Sequence, residues 1–324
     1  MKSQINFLKL VYPPISNQEA EWLKNDPDVK EEIRRSNLYM IVQRHESIFK
    51  LYSDSENIQN LEEKFIIKFK YIVGELEDDV QIDLSILFKE YAIDMNDFDI
   101  SIEFGKKQIR IWKCELGTKN KISVIDWFTT EKILWDKSRG HPAISGLNKA
   151  KEFSQYYLHY IGISKKDDSL TRLVVKPHDK RLRILSNENN LSFNSRLTDE
   201  IILLFFKIEK LEIQILEEQN ADDFINGLQI DYDKIIADAE KAFINILESK
   251  YNSVKYKNYP KGSDGLYDEG LTRYGYILAE EMTLITDKET ICGDSMSEYK
   301  FPELADMIFI ENDKVTIVKA TEST

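Results

Sequence analysis

The chain has 324 residues, a net charge of −13, and 42% hydrophobic residues that include 16 Phe and 16 Tyr. That much apolar material builds real cores and excludes a disordered protein, and the length predicts two or three domains. A negative balance of this size excludes a protein that coats nucleic acid or a membrane surface indiscriminately. No apolar run reaches the length of a membrane span, and Met1-Lys2-Ser3-Gln4 opens without a signal-peptide apolar region, so a cytoplasmic protein with no membrane partner is expected. Cys114 and Cys292 lie too far apart for a metal or redox motif and read as ordinary thiols of a reducing compartment.

In chain order, Pro27–Leu51 carries apolar residues at Val29, Ile33, Leu38, Ile41, Val42, Ile48 and Phe49, a spacing that predicts a helix. Arg44-His45 then reads as part of a solvated helix face. Glu62–Glu75 fits either an alternating strand or a helix. Phe98–Leu116 alternates on both sides of Gly105-Lys106-Lys107 and predicts a hairpin. Lys119-Asn120-Lys121 is a candidate boundary, after which Ser123–Trp135 is expected to be rich in strand and Arg139-Gly140-His141-Pro142 to turn.

Ser154–Ile163 has the aromatic, β-branched composition of a strand. Ser169–Asn187 reads as a helix, Ile201–Ile208 as a buried strand or core helix, and Leu211–Leu216 as a strand. Ile235–Tyr251 has helical periodicity at Ile235, Ile236, Ala239, Phe243, Ile246 and Leu247. Tyr259–Gly265 is the best linker candidate, and the segments beginning at Tyr274 and Ala305 read as strands, the latter turning at Glu311–Lys314. The expected organisation is α+β in three parts: an N-terminal α+β region over 1–120, a central domain over 121–259 and a β-rich region over 260–324.

Charge is not spread evenly over these parts. Residues 137–196 hold twelve Lys/Arg against five acids, a local +7, whereas the rest of the chain carries −20. His141, His159 and His178 fall in the same stretch. A focused positive field attracts polyanions whatever the total charge, so a phosphate-handling site is expected there. Lys165, Lys166, Lys176, Lys180, Arg181 and Arg183 are the candidate nucleic-acid contacts, although basic residues on a helix can equally pair with the acids after Glu217.

Tyr160-Ile161-Gly162, followed by Arg172 and His178, resembles the second half of a GIY-YIG nuclease domain. Further features follow in that family's order: LEIQILEE as a strand, AEKAFINIL as a helix bearing Glu240, and Asn252 just beyond. The resemblance spans about residues 125–258 and implies a small antiparallel sheet with helices. It implies a phosphodiesterase that uses one Mg²⁺ or Mn²⁺ ion on DNA or RNA. Tyr160 would position or activate water, Arg172 would hold the scissile phosphate, His178 would assist proton transfer, Glu240 would bind the metal and Asn252 would orient the site. Glu200 is the second candidate ligand.

The family's first motif, Gly-Ile-Tyr, is expected one hairpin upstream of Tyr160 and does not occur in the chain. His141, Tyr156 or Tyr157 are the candidates for its role. Asp306, a hairpin and Lys319 are similar to the strand layout of PD-(D/E)xK nucleases, but Ile317 stands where that motif carries an acid. Two other readings stay open. One is a degenerate domain that binds nucleic acid or protein without cutting, with the acidic flanks as a protein-binding surface. The other is a structural subunit of a bacterial defence assembly.

Overall fold

The computed structural model describes residues 2–52, 58–61, 64–94, 96–165, 168–214, 230–297 and 300–320. The chain divides into two compact units, and the division is an insertion. Unit 1 comprises Met1–Arg44, Gln155–Asn189 and Leu197–Thr324, and unit 2 comprises His45–Ser154 and Asn190–Arg196. The expected boundaries near 120 and 259 do not coincide with this division.

The chain enters unit 1 through β1 (Lys2–Leu10) and β2 (Ile15–Ser16), followed by helices α1 (Asn17–Leu23) and α2 (Pro27–Ile33). Each helix starts on a side-chain cap. Ser16 Oγ accepts from the Glu19 N–H at 3.0 Å, and Asp26 Oδ1 accepts from Asp28 and Val29 with Pro27 at the first helical position. The helix expected over Pro27–Leu51 ends at Ile33. The apolar positions beyond it belong to strand β3 (Leu38–Gln43), which is buried at every residue. A strand buried on both faces presents a continuous apolar run, which a helical template also matches.

Unit 2 follows, with β4 (Ser47–Lys50), β5 (Ile58–Leu61), β6 (Lys64–Val73), β7 (Leu76–Asp83), α3 (Leu84–Glu90), β8 (Phe98–Phe104), β9 (Gln108–Glu115), β10 (Lys121–Thr129), α4 (Thr130–Ser138), β11 (Ile144–Gly146) and α5 (Ala150–Phe153). The ambiguous Glu62–Glu75 segment is strand over Lys64–Val73, with Glu62 and Glu63 outside the described residues, and the Phe98–Leu116 hairpin forms as expected. Ser123–Trp135 is strand only to Thr129, whose Oγ1 caps α4 by accepting from Lys132 N at 3.1 Å. One sheet has the order β11-β7-β6-β4 with β5 on β6, the other the order β10-β9-β8. They share a core containing Phe49, Phe69, Tyr71, Ile109, Ile111, Phe128 and Phe153.

Returning to unit 1, β12 (Gln155–Ile163) leads to a five-residue π-helix (Thr171–Val175), then α6 (Asp179–Asn187), α7 (Leu197–Glu200), β13 (Ile201–Gln214) and α8 (Tyr232–Leu247). Strands β14 (Arg273–Leu278), β15 (Thr283–Ile285), β16 (Thr290–Cys292), β17 (Met307–Glu311) and β18 (Lys314–Val318) complete it. The expected Ser169–Asn187 helix is broken at Lys176-Pro177, where proline cannot continue a helical hydrogen-bond ladder. The strands expected at Ile201–Ile208 and from Leu211 are one strand, the end of the second lying outside the described residues.

The strands of unit 1 form a ten-stranded sheet in the order β16-β15-β12-β3-β13-β1-β14-β17-β18, with β2 beside β13. The sheet curls until its ends approach each other. Asp306 Oδ2 accepts from Cys292 N in β16 at 2.9 Å, while Asp306 Oδ1 accepts from Ala320 N, just past β18, at 3.0 Å. Helix α8 buries Ala239, Ala242, Phe243 and Leu247, and Phe243 meets Tyr276 of β14 at 6.4 Å. Its Asp238 accepts from the hydroxyls of Tyr259 and Tyr276 at 2.6 and 2.7 Å and from Leu266 N at 2.7 Å. The expected linker at Tyr259–Gly265 is thereby fastened to the core of unit 1.

Candidate functional site

Strand β12 carries Tyr160, and its antiparallel neighbour is β3, not the segment just upstream. Gly162 faces Tyr39 and Tyr160 faces Ile41, with a β-bulge at His159. Two aromatic residues about 120 positions apart in sequence therefore stand side by side. The Tyr39 and Tyr160 ring centroids lie 6.2 Å apart, and the His178 ring meets both edge-on, at 5.8 Å from Tyr39 and 5.5 Å from Tyr160. Gly162 makes this possible: a Cβ there would stand 2.7 Å from Tyr160 Cε1 and 2.8 Å from the Tyr39 hydroxyl. Of the candidates for the first-motif role, Tyr156 instead accepts from Arg44 Nη1 at 3.4 Å, and His141 belongs to unit 2, where its ring meets Phe128 at 6.3 Å.

The Tyr39 hydroxyl and His178 Nε2 are 3.0 Å apart. His178 is also the N-cap of α6, where its Nδ1 accepts from Arg181 N at 3.1 Å. Burial, reinforced by the charges of Arg172 and Arg181, pulls the imidazole down to about 4. The ring is therefore neutral near pH 7. With Nδ1 committed as an acceptor, its one proton sits on Nε2 and is donated to Tyr39. The Tyr39 hydroxyl also accepts from Arg172 and donates to Tyr160, contacts that lower the two phenols against the rise that burial imposes.

Arg172 projects from the π-helix, the distortion of helical pairing most often met at functional sites. It is exposed, and its positive charge opposes the burial that raises the phenols of Tyr39 and Tyr160. Glu240, on α8, is near enough that its negative charge raises both phenols and that of Tyr256. Burial lifts the Glu240 carboxyl to about 7, against the opposite pull of Lys165 and Lys241. Tyr39, Tyr160, Arg172, His178 and Glu240 thus form one electrostatic cluster.

Asn252 serves the site from behind. Its side chain pairs with both backbone groups of Ile161, donating from Nδ2 to the carbonyl at 2.8 Å and accepting at Oδ1 from the N–H at 2.9 Å. Strand β15 covers β12 only over Gln155–Tyr157, so Asn252 satisfies polar groups between Tyr160 and Gly162 that no neighbouring strand reaches.

The basic candidates divide. Lys165, Lys176 and Arg183 are exposed, with Arg183 only 4.0 Å from Asp179. Lys180 donates to Ser253 Oγ at 3.1 Å. Arg181 is a strut: Nε donates to Asn17 Oδ1 at 2.6 Å, Nη1 reaches the Leu173 carbonyl at 3.5 Å, and burial lowers its pKa. Lys166 lies outside the described residues, as do Glu217, Glu218, Asp222 and Asp223.

Several other residues are structural. Arg44 is buried, not part of a solvated helix face, and its N–H donates to the Glu200 carbonyl at 3.0 Å. The Glu200 side chain is wholly buried and accepts from Gln43 Nε2 at 3.1 Å, and His159 Nε2 lies 2.9 Å from Gln43 Oε1. Asp306 approaches Lys319 Nζ at 3.3 Å, but its oxygens close the sheet.

A single hard carboxylate suits Mg²⁺, which keeps waters and takes phosphate oxygens for its remaining positions. Among the described residues no group of three or more His, Cys, Asp or Glu is placed to cage a metal, so Glu240 would be the one protein ligand. The residue that sequence reasoning missed is Tyr39. Asn37-Leu38-Tyr39 has only the tyrosine of Gly-Ile-Tyr, and it lies an entire inserted unit upstream. No protein-family model, no curated protein and no solved structure matches the chain.

Proposed function

We propose that unit 1 is a metal-dependent phosphodiesterase of GIY-YIG type acting on nucleic acid, with Asn37-Leu38-Tyr39 in the place of the first motif. The observation that supports this most is the cluster of two phenols, an imidazole, an exposed guanidinium and a lone carboxylate on elements far apart in sequence. Structural packing alone has no need of an exposed Arg172 beside two tyrosines, or of a half-buried acid near neutrality.

In this reading the attacking water forms the new P–O bond and releases its proton to solvent as the bond to the leaving strand breaks, and the leaving oxygen takes up a proton from solvent. Arg172 holds the non-bridging oxygens through its fork of donors and offsets the charge gathered in the transition state. Tyr39, held by the His178 N–H, donates to Tyr160, and Tyr160 in turn orients the water through its own O–H. A Mg²⁺ or Mn²⁺ ion at Glu240 would supply positive charge for the leaving oxygen. The Glu240 carboxyl, lifted to about 7 by burial, would have to give up its proton to hold such an ion. Asn252 keeps the Tyr160 strand in position.

The test is cleavage of mixed DNA and RNA substrates with Mg²⁺ or Mn²⁺, comparing wild type with Tyr39→Phe, Arg172→Ala and Glu240→Ala. Metal-dependent cutting that falls by at least about 100-fold in each variant supports the enzyme. Binding without cutting in the wild type, lost on Arg172→Ala, would replace it with a degenerate recognition domain.

A further inference from the structure

Tyr256 adopts a left-handed backbone conformation, with φ at 45°. A Cβ crowds the following carbonyl there, so glycine or asparagine is the usual occupant and a bulky side chain is an outlier. Backbone of this kind persists only where its surroundings hold it, and it gathers at sites that bind or react. The Tyr256 carbonyl has two such holds: it accepts from Asn245 Nδ2 at 3.0 Å and from Tyr259 N at 2.8 Å. Asn245 belongs to α8, about one and a half turns beyond Glu240. Its amide therefore ties the strained residue to the helix that carries the lone carboxylate.

The Tyr256 ring is half-buried, and among the described residues its hydroxyl has no hydrogen-bond partner. Buried phenols ordinarily find one. The surrounding groups show where this hydroxyl lies. Burial raises the Tyr256 phenol most, the charges of Glu240 and Asp264 raise it further, and Tyr256 in turn raises Tyr160. The Asp264 carboxylate is taken by Lys241, and the Tyr160 oxygen accepts from Tyr39. Tyr256 keeps its proton at neutral pH. It is therefore a hydrogen-bond donor beside the reactive groups, not a base and not a metal ligand.

We propose that Tyr256 is a further substrate-binding residue of this site, donating its O–H to a non-bridging oxygen of the phosphate, and that the left-handed turn pinned by Asn245 aims it. Phosphate oxygens accept several hydrogen bonds at once, so a neutral donor from the α8 side complements the guanidinium that Arg172 brings from the π-helix. A phenol adds no charge to compete with a cation at Glu240. Strain at Tyr256 lowers stability, a cost that a ring serving only to pack would avoid. The proposal rests on the phosphodiesterase reading of unit 1 and extends it by one residue.

The experiment measures two quantities on the full chain. Affinity for fluorescein-labelled oligonucleotides, DNA and RNA in turn, is read by anisotropy at pH 6 without divalent metal, where the Glu240 carboxyl is mostly protonated. Cleavage of the same oligonucleotides is read with Mg²⁺. Tyr256→Phe should lower affinity and kcat/KM by at least about tenfold each, at an unchanged unfolding temperature. Tyr256→Ala and Tyr256→Gly should lose as much, with the glycine variant the more stable of the two. Asn245→Ala should weaken binding in the wild-type background and add nothing in Tyr256→Phe. Wild-type affinity and cleavage in Tyr256→Phe overturn the proposal and leave the nuclease reading standing. An alanine variant more stable than the glycine one removes the strained turn and overturns it as well. Failure of the nuclease reading has a different signature: the wild type binds and cuts nothing, yet Tyr256→Phe still binds about tenfold more weakly. A wild type that neither binds nor cuts overturns both.

Discussion

At the scale of single residues, the cluster depends on space and on protonation state. Gly162 leaves room for two phenols, and a methyl group there must push the strand or the rings aside. Gly162→Ala should lower stability by about 1–3 kcal/mol, read by urea denaturation, and should cut cleavage further than that loss of folded protein explains. Glu240 makes a second prediction. Its folded carboxyl titrates at about 7, above the ordinary value of 4.5, so the fold favours the neutral form. The associated stability is fully present below about pH 4.5 and is lost as pH rises through 7. Without divalent metal, Glu240→Gln should therefore be more stable than wild type at pH 8, by up to about 3 kcal/mol, with the difference vanishing near pH 4.5. His178 behaves in the opposite way. Its imidazole is held down to about 4, so no imidazole titration should enter the pH–rate profile between 6 and 8. The rise in rate toward pH 7 belongs to Glu240 and should persist in His178→Asn, a substitution that retains a capping side chain for α6 while lowering the overall rate.

At the scale of elements, the site depends on how β12 ends. The strand is covered by β3 from Tyr157 to Ile163, but on its other side β15 reaches only from Gln155 to Tyr157. Asn252 replaces the missing neighbour at Ile161. Asn252→Ala leaves one donor and one acceptor buried without partners and should cost about 2–4 kcal/mol in thermal or urea unfolding. Asn252→Asp retains the acceptor and should cost less. Helix α6 illustrates the same dependence of chemistry on element ends. The break at Pro177 frees His178 to cap the helix, and the cap fixes which ring nitrogen faces Tyr39.

At the scale of the whole molecule, the inserted unit separates Tyr39 from Tyr160 by more than a hundred residues of sequence while strand pairing sets them side by side. Strands β3 and β12 pair as a hairpin would, with Gln43 opposite Tyr157, and unit 2 is built out of what would be its turn. Replacing residues 46–154 by Asn-Gly should therefore leave unit 1 folded, because His45 then stands opposite Gln155 and a two-residue turn closes antiparallel strands in that register. Circular dichroism and a cooperative thermal transition of the shortened protein check this. An unfolded product would mean that unit 1 needs unit 2 to form.

Much was legible in sequence. The hairpin from Phe98, the strand holding Tyr160 and helix α8 with Glu240 follow from local periodicity, which chain neighbours determine, whereas the set Tyr160, Arg172, His178, Glu240 and Asn252 was singled out by the resemblance alone. The segment containing Tyr39 was misread as helix, because Leu38–Val42 is apolar at every position and a strand buried on both faces leaves no alternation to detect. Local sequence also could not show that Arg181 is a strut while Arg172 is exposed, or that Asn252 grips Ile161. Those depend on which distant segments meet. The sequence by itself determined the element types and the stock of chemical groups. Only the tertiary structure decided that Tyr39 stands beside Tyr160, because strand pairing joins residues by backbone hydrogen bonds at any separation along the chain.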